Sequence, residues 1–418
     1  MPNYYLWTIG CQMNKAESER LGSLFEEQGY TATATAEQAD IIVLNSCVVR
    51  ESAENRAINK IHVLKKLKKQ RPELLLAVTG CLVDSDTTSL KKTFPHIDYF
   101  FKPGSPPPWL FDKHETALPQ HPAPSVYLPI MQGCDNFCSY CIVPYRRGRE
   151  RSRPVQEIVC EASELVRRGT KEIVLLGQNV DSYGHDLPDK PDLADLLIEL
   201  NSIDGLARLR FLTNHPKDMS PKLIAAVASL DKVCEHITLP VQAGSNEILR
   251  VMRRGYTVEH FRQLVAAIRN KIPEVALSTD VIVGFPSESE EQFQQTVNLL
   301  AELKFDTVHV AAYSPRAGTI AAREHEDNVP AIEKKRRLTL IEQLQEGIVT
   351  GINAQLRDKT IEVLVEGRSG GKWQGRTRSD KLVFATDGGD WLGQLVPVSI
   401  EKTSPWSLQG KIRLGGKH

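Results

Sequence analysis

The stretch GCDNFCSYCIVPYRRGRE, from Gly133 to Glu150, places three cysteines within eight residues. Cys134, Cys138 and Cys141 have the spacing C-x3-C-x2-C, and no fourth cysteine stands nearby. A closed structural metal site usually takes four protein ligands, whereas a site that binds a small molecule keeps one position open. The stretch therefore predicts an open metal site in which a bound molecule supplies the missing ligand.

Thiolates at this spacing favour an iron–sulfur cube over a single zinc ion. Three thiolates can hold three irons of a four-iron cube and leave the fourth free, and Gly133 permits a tight bend before the first ligand. Zinc would need a second cysteine pair at finger or ribbon spacing. Only Cys160 and Cys234 remain downstream, far apart, and we interpret both as packing residues. Zinc and unligated cysteines are the alternatives.

Strand and helix patterns alternate around this stretch, from Val126 to about Gly318. One helix begins with SPKLIAAVASL, where Ser220 can cap the amino end and Pro221 fits the first turn. Six consecutive strand–helix units predict a parallel sheet that curls into a partial (β/α)6 barrel, with the cysteines in the loop after its first strand. The strand candidates are VYLPIM, KEIVLLG, LARLRFLT, HITLP, ALSTDVIVG and DTVHVAAY.

A second set of three cysteines lies in the amino-terminal part, where Pro2 to about Lys102 predicts an open, parallel α/β sheet. Cys11 follows YYLWTIG, Cys47 follows DIIVLNS and Cys81 follows LLLAVTG, so each lies just beyond a predicted strand. The carboxyl ends of parallel strands meet at one edge of such a sheet, where ligand-binding loops gather. We therefore expect a second open three-thiolate site, with three separately buried cysteines as the simpler alternative.

The remaining segments are a linker and a β-rich tail. The stretch from Lys102 to Ser125 has seven prolines and no clear periodicity, which is typical of a linker. A polar helix at about Pro330 to Leu356 leads into short segments that alternate apolar and polar residues. A small closed β-barrel is the expected shape of this tail.

The tail is basic, with 11 Lys and Arg against 7 Asp and Glu from Leu356 to His418. Its stretch KWQGRTRSDK groups cations around one aromatic ring, as contact with an RNA backbone and stacking on a base would require. A solvated pair of charged strands is the alternative. The candidate RNA-binding residues are Lys372, Trp373, Arg376, Arg378 and Lys381.

A further basic stretch, RRGRERSR from Arg146 to Arg153, follows the three-cysteine loop directly. Its arginines could bind the carboxylate of a small-molecule ligand, bind RNA, or pair with Glu150. The sequence leaves these three roles open.

The overall composition bounds the class of protein. A chain of 418 residues suggests two or three domains, and 52 basic residues balance 52 acidic ones, so any contact with nucleic acid must use local patches. Eight cysteines are too few for a disulfide scaffold. No apolar run approaches the roughly 18 residues of a membrane helix, and the start lacks the pattern of a signal peptide. We expect a cytoplasmic protein with no membrane partner.

The three-cysteine loop, with an aromatic residue before its last cysteine, resembles that of the radical S-adenosylmethionine (SAM) superfamily. The resemblance implies that SAM binds the open iron and is cleaved when the cluster supplies an electron. It also implies SAM contacts at the carboxyl ends of the barrel strands, for which the candidates are Tyr140, Gln178, Gln242 and Gly284.

Two three-cysteine sets in one chain resemble, more narrowly, the methylthiotransferases, whose β-rich tail is a TRAM domain. This implies domains at residues 1–118, 119–351 and 352–416. It also implies two [4Fe-4S] clusters, one on Cys11, Cys47 and Cys81 and one on Cys134, Cys138 and Cys141. The matching blocks are GCQMN (Gly10–Asn14), NSC (Asn45–Cys47), GQNVDSYG (Gly177–Gly184), LPVQAGS (Leu239–Ser245), DVIVGFP (Asp280–Pro286) and YSPRAGT (Tyr313–Thr319).

Within that family, GCQMN and GQNVDSY resemble the MiaB-type branch. This implies insertion of a methylthio group at C2 of N6-(dimethylallyl)adenosine beside the anticodon of tRNA. The implied partners are the tRNA anticodon stem-loop, an electron donor such as flavodoxin or ferredoxin, and a sulfur source. Action on threonylcarbamoyl-adenosine in tRNA, or on an aspartate of a ribosomal protein, is the alternative within the family. Outside it, the alternatives are an electron-transfer protein and a plain RNA-binding module.

Overall fold

The computed structural model describes residues 1–49, 51–83, 86–110, 117–386 and 388–413. Its amino-terminal elements are β1 (Asn3–Thr8), α1 (Gln12–Glu27), β2 (Thr31–Ala32), β3 (Ile41–Ser46), α2 (Glu51–Gln70), β4 (Leu75–Gly80), α3 (Thr88–Thr93) and β5 (Tyr99–Phe100). The strands form one parallel sheet in the order β2-β1-β3-β4-β5. Strand β3 is buried along its whole length, as a central strand of a parallel sheet must be. The predicted open α/β sheet is confirmed.

The central part is built from strand–helix units, as the sequence predicted. Its strands are β6 (Ser125–Pro129), β7 (Met131–Gln132), β8 (Arg151–Ser152), β9 (Glu172–Leu176), β10 (Arg208–Phe211), β11 (His236–Thr238), β12 (Ala276–Val283) and β13 (Thr307–Ala312). Its helices are α4 (Val143–Arg147), α5 (Val155–Arg167), α6 (Leu193–Asn201), α7 (Pro221–Ser229), α8 (Asn246–Val251), α9 (Val258–Lys271), α10 (Glu290–Leu303), α11 (Ile320–Glu324) and α12 (Ala331–Ala354).

Six of these strands make a partial barrel. Strands β6, β9 and β10 form one parallel sheet, and β11, β12 and β13 form another. A parallel bridge between Leu209 and Val233 joins the two sheets, while β7 and β8 form a separate antiparallel pair. At the start of α7, the Ser220 hydroxyl accepts a hydrogen bond from the Leu223 amide, so the predicted cap is also confirmed.

Helix α1 of the amino-terminal sheet covers the inner face of the partial barrel. On β9, Ile173 and Leu175 pack into the main core with the surrounding helices. Alternate residues of a strand point to opposite faces, so Val174 and Leu176 face inward, where they contact Met13 of α1. The amino-terminal and central parts are therefore packed directly against each other beside the carboxyl ends of their strands.

The tail forms the predicted closed barrel. Its strands are β14 (Thr360–Ser369), β15 (Lys372–Thr377), β16 (Leu382–Thr386), β17 (Leu395–Thr403) and β18 (Leu408–Ile412), joined in the order β14-β15-β16-β18-β17. A core that includes Val363, Val383 and Val398 fills the barrel. Between Phe100 and Ser125 the described residues form neither helix nor strand, as expected for a linker. No helix in the described ranges is long and apolar enough to cross a membrane.

Candidate active site

The central cysteine set, Cys134, Cys138 and Cys141, lies on a loop folded tightly against β7 and β8. Gly133 has φ of +85°, and a Cβ at this position would lie 2.0 Å from the carbonyl oxygen of Arg149. The Cys134 amide donates a hydrogen bond to the carbonyl of Gly148 at 3.2 Å. Only glycine tolerates this backbone and this close approach, so the bend predicted at Gly133 is confirmed.

Arg254 is a buried cation beside the central set. Its Nη1 donates to the Sγ atom of Cys138 at 3.2 Å and to the hydroxyl of Tyr140 at 3.4 Å. Burial raises the pKa of Cys134 to about 11 and that of Cys141 to about 12. These thiols therefore need a strong positive partner before they ionise, and metal ions provide one. Nothing in the sequence around Arg254 distinguishes it from a surface arginine.

The N-terminal cysteine set, Cys11, Cys47 and Cys81, meets at one edge of the amino-terminal sheet. The thiols of Cys47 and Cys81 are hydrogen-bonded to each other, and both residues are buried. Gly10, next to Cys11, packs so closely that an added Cβ would lie 2.6 Å from the Cβ of Cys47. The structure thus brings the three residues together, as their positions after three parallel strands predicted.

Asn14 holds the start of α1 against the end of β3. Its Oδ1 accepts a hydrogen bond from the Cys11 amide at 3.3 Å, and its Nδ2 donates to Oδ1 of Asn45 at 2.8 Å. Both asparagines are buried. The sequence blocks GCQMN and NSC therefore fix the relative positions of Cys11 and Cys47.

The donor chemistry fits a metal cluster better than a single ion. No three His, Cys, Asp or Glu side chains within the described ranges converge closely enough to hold one metal ion. The ligands of a four-iron cube do not converge on one atom, because each cysteine thiolate binds a separate iron. Each set offers three cysteine thiols that form no disulfide, which is the ligand type that such a cube takes.

One cavity of about 820 Å³ is lined by residues of both the amino-terminal and the central parts. The amino-terminal part contributes Val49 and Ser52, which follow Cys47, and the central part contributes Tyr140, Cys141 and Gln242. Strands β12 and β13 and the start of α12 complete the wall. Cys141 of the central set lines this cavity directly, whereas the N-terminal set adjoins it through the residues that follow Cys47.

The four predicted SAM-contact residues are placed differently in the structure. Tyr140 and Gln242 line the cavity, whereas Gln178 and Gly284 are outside its lining as the described residues define it. Gln178 accepts a hydrogen bond from the Gly133 amide at 2.6 Å, so its side chain supports the cysteine loop. Gly284 packs on Lys334, whose Cγ would lie 2.4 Å from an added Cβ. SAM binding by all four residues stays a prediction.

The cavity wall also contains polar groups that the sequence did not single out. The hydroxyls of Tyr313 and Ser314 are buried without a hydrogen-bond partner among the described residues, and both residues line the cavity. Buried polar atoms are normally hydrogen-bonded. A polar ligand in the cavity would satisfy them, which agrees with the amino, carboxylate and ribose groups of SAM.

Comparison with known proteins identifies each part of the chain. The Radical SAM superfamily model matches residues 128–300, the TRAM domain model matches residues 355–412, and the model of Uncharacterized protein family UPF0004 matches residues 3–102. A tRNA-2-methylthio-N(6)-dimethylallyladenosine synthase of Dehalococcoides mccartyi is 59% identical over 412 residues, 99% of each chain. One of Chloroflexus aurantiacus is 49% identical and covers 97% of this chain and 91% of its own.

The chain belongs to the tRNA-2-methylthio-N(6)-dimethylallyladenosine synthase family. It is accordingly a radical SAM enzyme, and membership of that superfamily implies SAM and a [4Fe-4S] cluster. The predicted family is confirmed.

Solved structures support the fold of this synthase family member. The radical SAM methyltransferase TsrM of Kitasatospora setae, solved with cobalamin and a [4Fe-4S] cluster, superposes with a TM-score of 0.57 at 14% identity over 77% of each chain. The cobalamin-dependent radical enzyme OxsB gives 0.51 at 13% identity, over 82% of this chain and 56% of its own. At such low identity the likeness concerns the fold alone.

Two of the five predicted RNA-binding residues hold the tail barrel to the central domain. Arg378 makes a bidentate ion pair with Glu235 at 2.8 Å, and Lys381 pairs with Asp306 at 2.8 Å. These contacts give the two cations a structural role that sequence reasoning missed. Their binding to RNA stays a prediction.

The other three predicted RNA-binding residues differ in how accessible they are. Trp373 is only 6% exposed, and Arg368 lies over its ring at 4.0 Å, so that face is already covered. Lys372 donates to Gln409 at 3.1 Å, and Arg376 pairs with Asp380. Both cations keep partly exposed side chains, and their binding to RNA stays a prediction.

The structure also shows the partners of the basic stretch RRGRERSR and the burial of the two remaining cysteines. Within RRGRERSR, Arg147, Arg149 and Arg153 pair with Glu17, Asp135 and Glu161, not with Glu150, among the described ion pairs. Cys234 is buried, as a packing residue should be, but Cys160 is exposed on α5, so its interpretation as a packing residue was wrong. The apolar pattern of α5 was correct, and Cys160 lies off its buried face.

Proposed function

We propose that this protein inserts a methylthio group at C2 of N6-(dimethylallyl)adenosine beside the anticodon of tRNA. The names of the relatives that match over the full chain support the substrate. The observation that carries the proposal is a cavity lined by Cys141 of the central set and by Val49 and Ser52, which follow Cys47 of the N-terminal set. A reaction that joins a substrate carbon to sulfur needs both centres within reach of one bound base.

Two metal clusters are part of this proposal. Cys134, Cys138 and Cys141 would hold the [4Fe-4S] cluster that binds SAM, and Cys11, Cys47 and Cys81 would hold a second [4Fe-4S] cluster. When bound, the first cluster would supply the electron for radical chemistry, and the second would carry the sulfur that a separate source provides. The protein residues bind, orient and shield.

The residues around the cavity differ in whether they bind, orient or shield the reacting groups. Arg254 fixes Cys138 and offsets its negative charge by a direct hydrogen bond. Tyr140 and Gln242, together with the unpaired hydroxyls of Tyr313 and Ser314, would orient SAM. The Arg316–Glu54 ion pair, at 2.8 Å, ties the loop after β13 to α2, and Arg316 lines the cavity, so the pair would help to keep water from that side. Excluding water protects reactive intermediates from side reactions.

The RNA would reach the cavity as a single-stranded loop. Enzymes that modify a base act on one that is unstacked and turned into a pocket, and an anticodon loop offers such a base. Lys372 and Arg376 would contact the RNA backbone of the anticodon stem-loop. The proposal also includes a cytoplasmic location, an electron donor such as flavodoxin or ferredoxin, a separate sulfur source, and domains at residues 1–118, 119–351 and 352–416.

The test is anaerobic reconstitution with iron and sulfide, followed by incubation with SAM, a reductant and tRNA. Formation of 5′-deoxyadenosine and of a methylthiolated nucleoside is measured by mass spectrometry. We expect both products with tRNA that carries the N6-dimethylallyl group. Matched tRNA without that group should give no methylthiolated nucleoside. Equal methylthiolation of the two tRNAs, or of threonylcarbamoyl-adenosine alone, would contradict the proposed substrate.

A further inference from the structure

Arg147 crosses the boundary between the two cysteine sets. It is the last residue of α4, the short helix that follows the central set, and its side chain is only 2% exposed. Its Nη1 and Nη2 bond to the two carboxylate oxygens of Glu17 at 2.6 and 3.3 Å. Glu17 lies on α1, the helix that begins directly after Cys11. A residue that follows the central set closely in sequence is thus anchored beside the N-terminal set.

The same segment contacts the N-terminal set a second time. Ile142, the residue after Cys141, is buried in the hydrophobic cluster that contains Cys81, Leu82 and Val83. Helix α4 therefore has one end in the core around Cys81 and the other paired with α1. Its position is fixed by the amino-terminal sheet as much as by the central barrel.

The charge of Arg147 acts on the thiols of that set. Its partner Glu17 lies on the helix that begins after Cys11, and Ile142 of the same segment packs in one core with Cys81. The guanidinium is therefore held within electrostatic range of the Cys11 and Cys81 thiols. Arginine stays protonated even when buried, so it is a permanent positive charge at this place. Arg254 has the matching position beside the central set.

We propose that Arg147 is a positioning residue of the central domain that places a fixed positive charge beside the N-terminal cysteine set. Glu17 holds the Arg147 side chain and partly offsets its charge. This inference rests on the proposed function, because it assumes that the N-terminal set carries a cluster. Its consequence is that the central loop influences the electronic state of the second cluster through one side chain.

The sign of each substitution follows from electrostatics. A nearby cation favours the reduced, more negative form of a cluster, and net charge near the cluster is one determinant of its potential. Removing the charge with Arg147→Gln should lower the reduction potential, while Glu17→Gln should raise it. An ion pair with only a structural role would behave differently, because either substitution breaks the same pair and disturbs the site in the same direction.

The experiment uses the full-length chain with Cys134, Cys138 and Cys141 replaced by Ala, so that only the N-terminal set can hold iron. Iron content and the midpoint potential, from a redox titration followed by electron paramagnetic resonance, are measured after anaerobic reconstitution. We expect a lower potential for Arg147→Gln, a higher one for Glu17→Gln, and a value near the parent for Arg147→Lys. Arg149→Gln is the matched control, since Arg149 is two residues away and its side chain is 73% exposed; it should shift nothing.

Each outcome bears on the inference. Shifts of the same sign, or no shift, overturn it. If Arg147→Gln takes up no iron, Glu17→Gln decides: a raised potential supports the role of Arg147, and an unchanged or lowered potential refutes it. If the parent chain itself assembles no cluster, the second cluster of the proposed function is wrong and this inference falls with it. If the cluster assembles normally but its midpoint potential is unchanged by both Arg147→Gln and Glu17→Gln, the inference is wrong and the proposed function is unaffected.

Discussion

Replacing Arg210 by Met should weaken the contact between the tail barrel and the central domain. Arg210 is buried on β10, where it pairs with buried Glu172 at 3.2 Å. It also donates to the carbonyl of Arg378 at 2.8 Å and to that of Thr377 at 3.1 Å, both in the tail. Removing one partner of a buried ion pair leaves the other charge uncompensated and costs about 3–5 kcal/mol. Part of this cost falls on the domain contact, because the Arg378 carbonyl loses its hydrogen bond from Arg210 and the Thr377 carbonyl keeps only the one from the Asp380 amide.

The assay for this prediction is hydrogen exchange at the turn between β15 and β16. The amides of Asp380 and Thr377 are protected there by hydrogen bonds within the turn. Exchange reports local opening, which is needed because a multidomain chain does not unfold in two states. A loss of about 3 kcal/mol should speed exchange by roughly 100-fold, since each 1.4 kcal/mol is a factor of ten.

Two controls separate the buried pair from a general effect of charge. Arg262→Met breaks the exposed pair with Glu302 and should change stability by less than about 1 kcal/mol. The double variant Arg210→Met, Glu172→Gln should cost less than the sum of the single changes, because neither residue leaves a buried charge behind. Unchanged exchange in Arg210→Met would refute the view that this pair holds the barrel.

The bend at Gly133, the buried His236 and the cations of the tail each have a measurable consequence. Gly133→Ala should remove SAM cleavage and about half of the bound iron, because the new Cβ meets backbone 2.0 Å away, whereas Gly347→Ala, on the exposed side of α12, has open space and should keep both. Burial lowers the pKa of His236 to about 4. The unfolded state therefore takes up a proton before the folded state does, and about 3 kcal/mol of the stability present above pH 6.5 should be lost as pH falls through 4. His236→Gln should remove this loss in denaturation curves recorded at several pH values. Lys372→Ala and Arg376→Ala should each weaken tRNA binding and lower its salt slope by about 1 in titrations at several ionic strengths.

The sequence predicted the architecture well because each part of it follows from local pattern. Alternation of strand and helix gave the parallel sheets, and period-two alternation gave the closed tail barrel. Placement after three parallel strands brought Cys11, Cys47 and Cys81 together, since parallel strands end at one edge. These features are consequences of backbone topology, which the spacing of apolar residues along the sequence indicates.

Side-chain partners were harder to predict because they depend on how the domains pack. Trp373 resembled an exposed stacking platform, but the barrel core buries it. Gln178 supports the cysteine loop through the Gly133 amide. Arg147 and Arg254 lie beside the two cysteine sets only because distant segments meet in space. No local pattern marks such contacts, so sequence reasoning assigned the basic residues by proximity along the chain.

The most direct test of two functionally distinct cysteine sets is replacement of Cys11, Cys47 and Cys81 together by Ala. The reconstituted variant is assayed for iron, for 5′-deoxyadenosine and for methylthiolated tRNA. We predict that iron falls from about eight to about four per chain, that SAM cleavage persists with a strong reductant, and that no methylthiolated nucleoside forms. Methylthiolated tRNA from this variant, or loss of all its iron, would contradict the account.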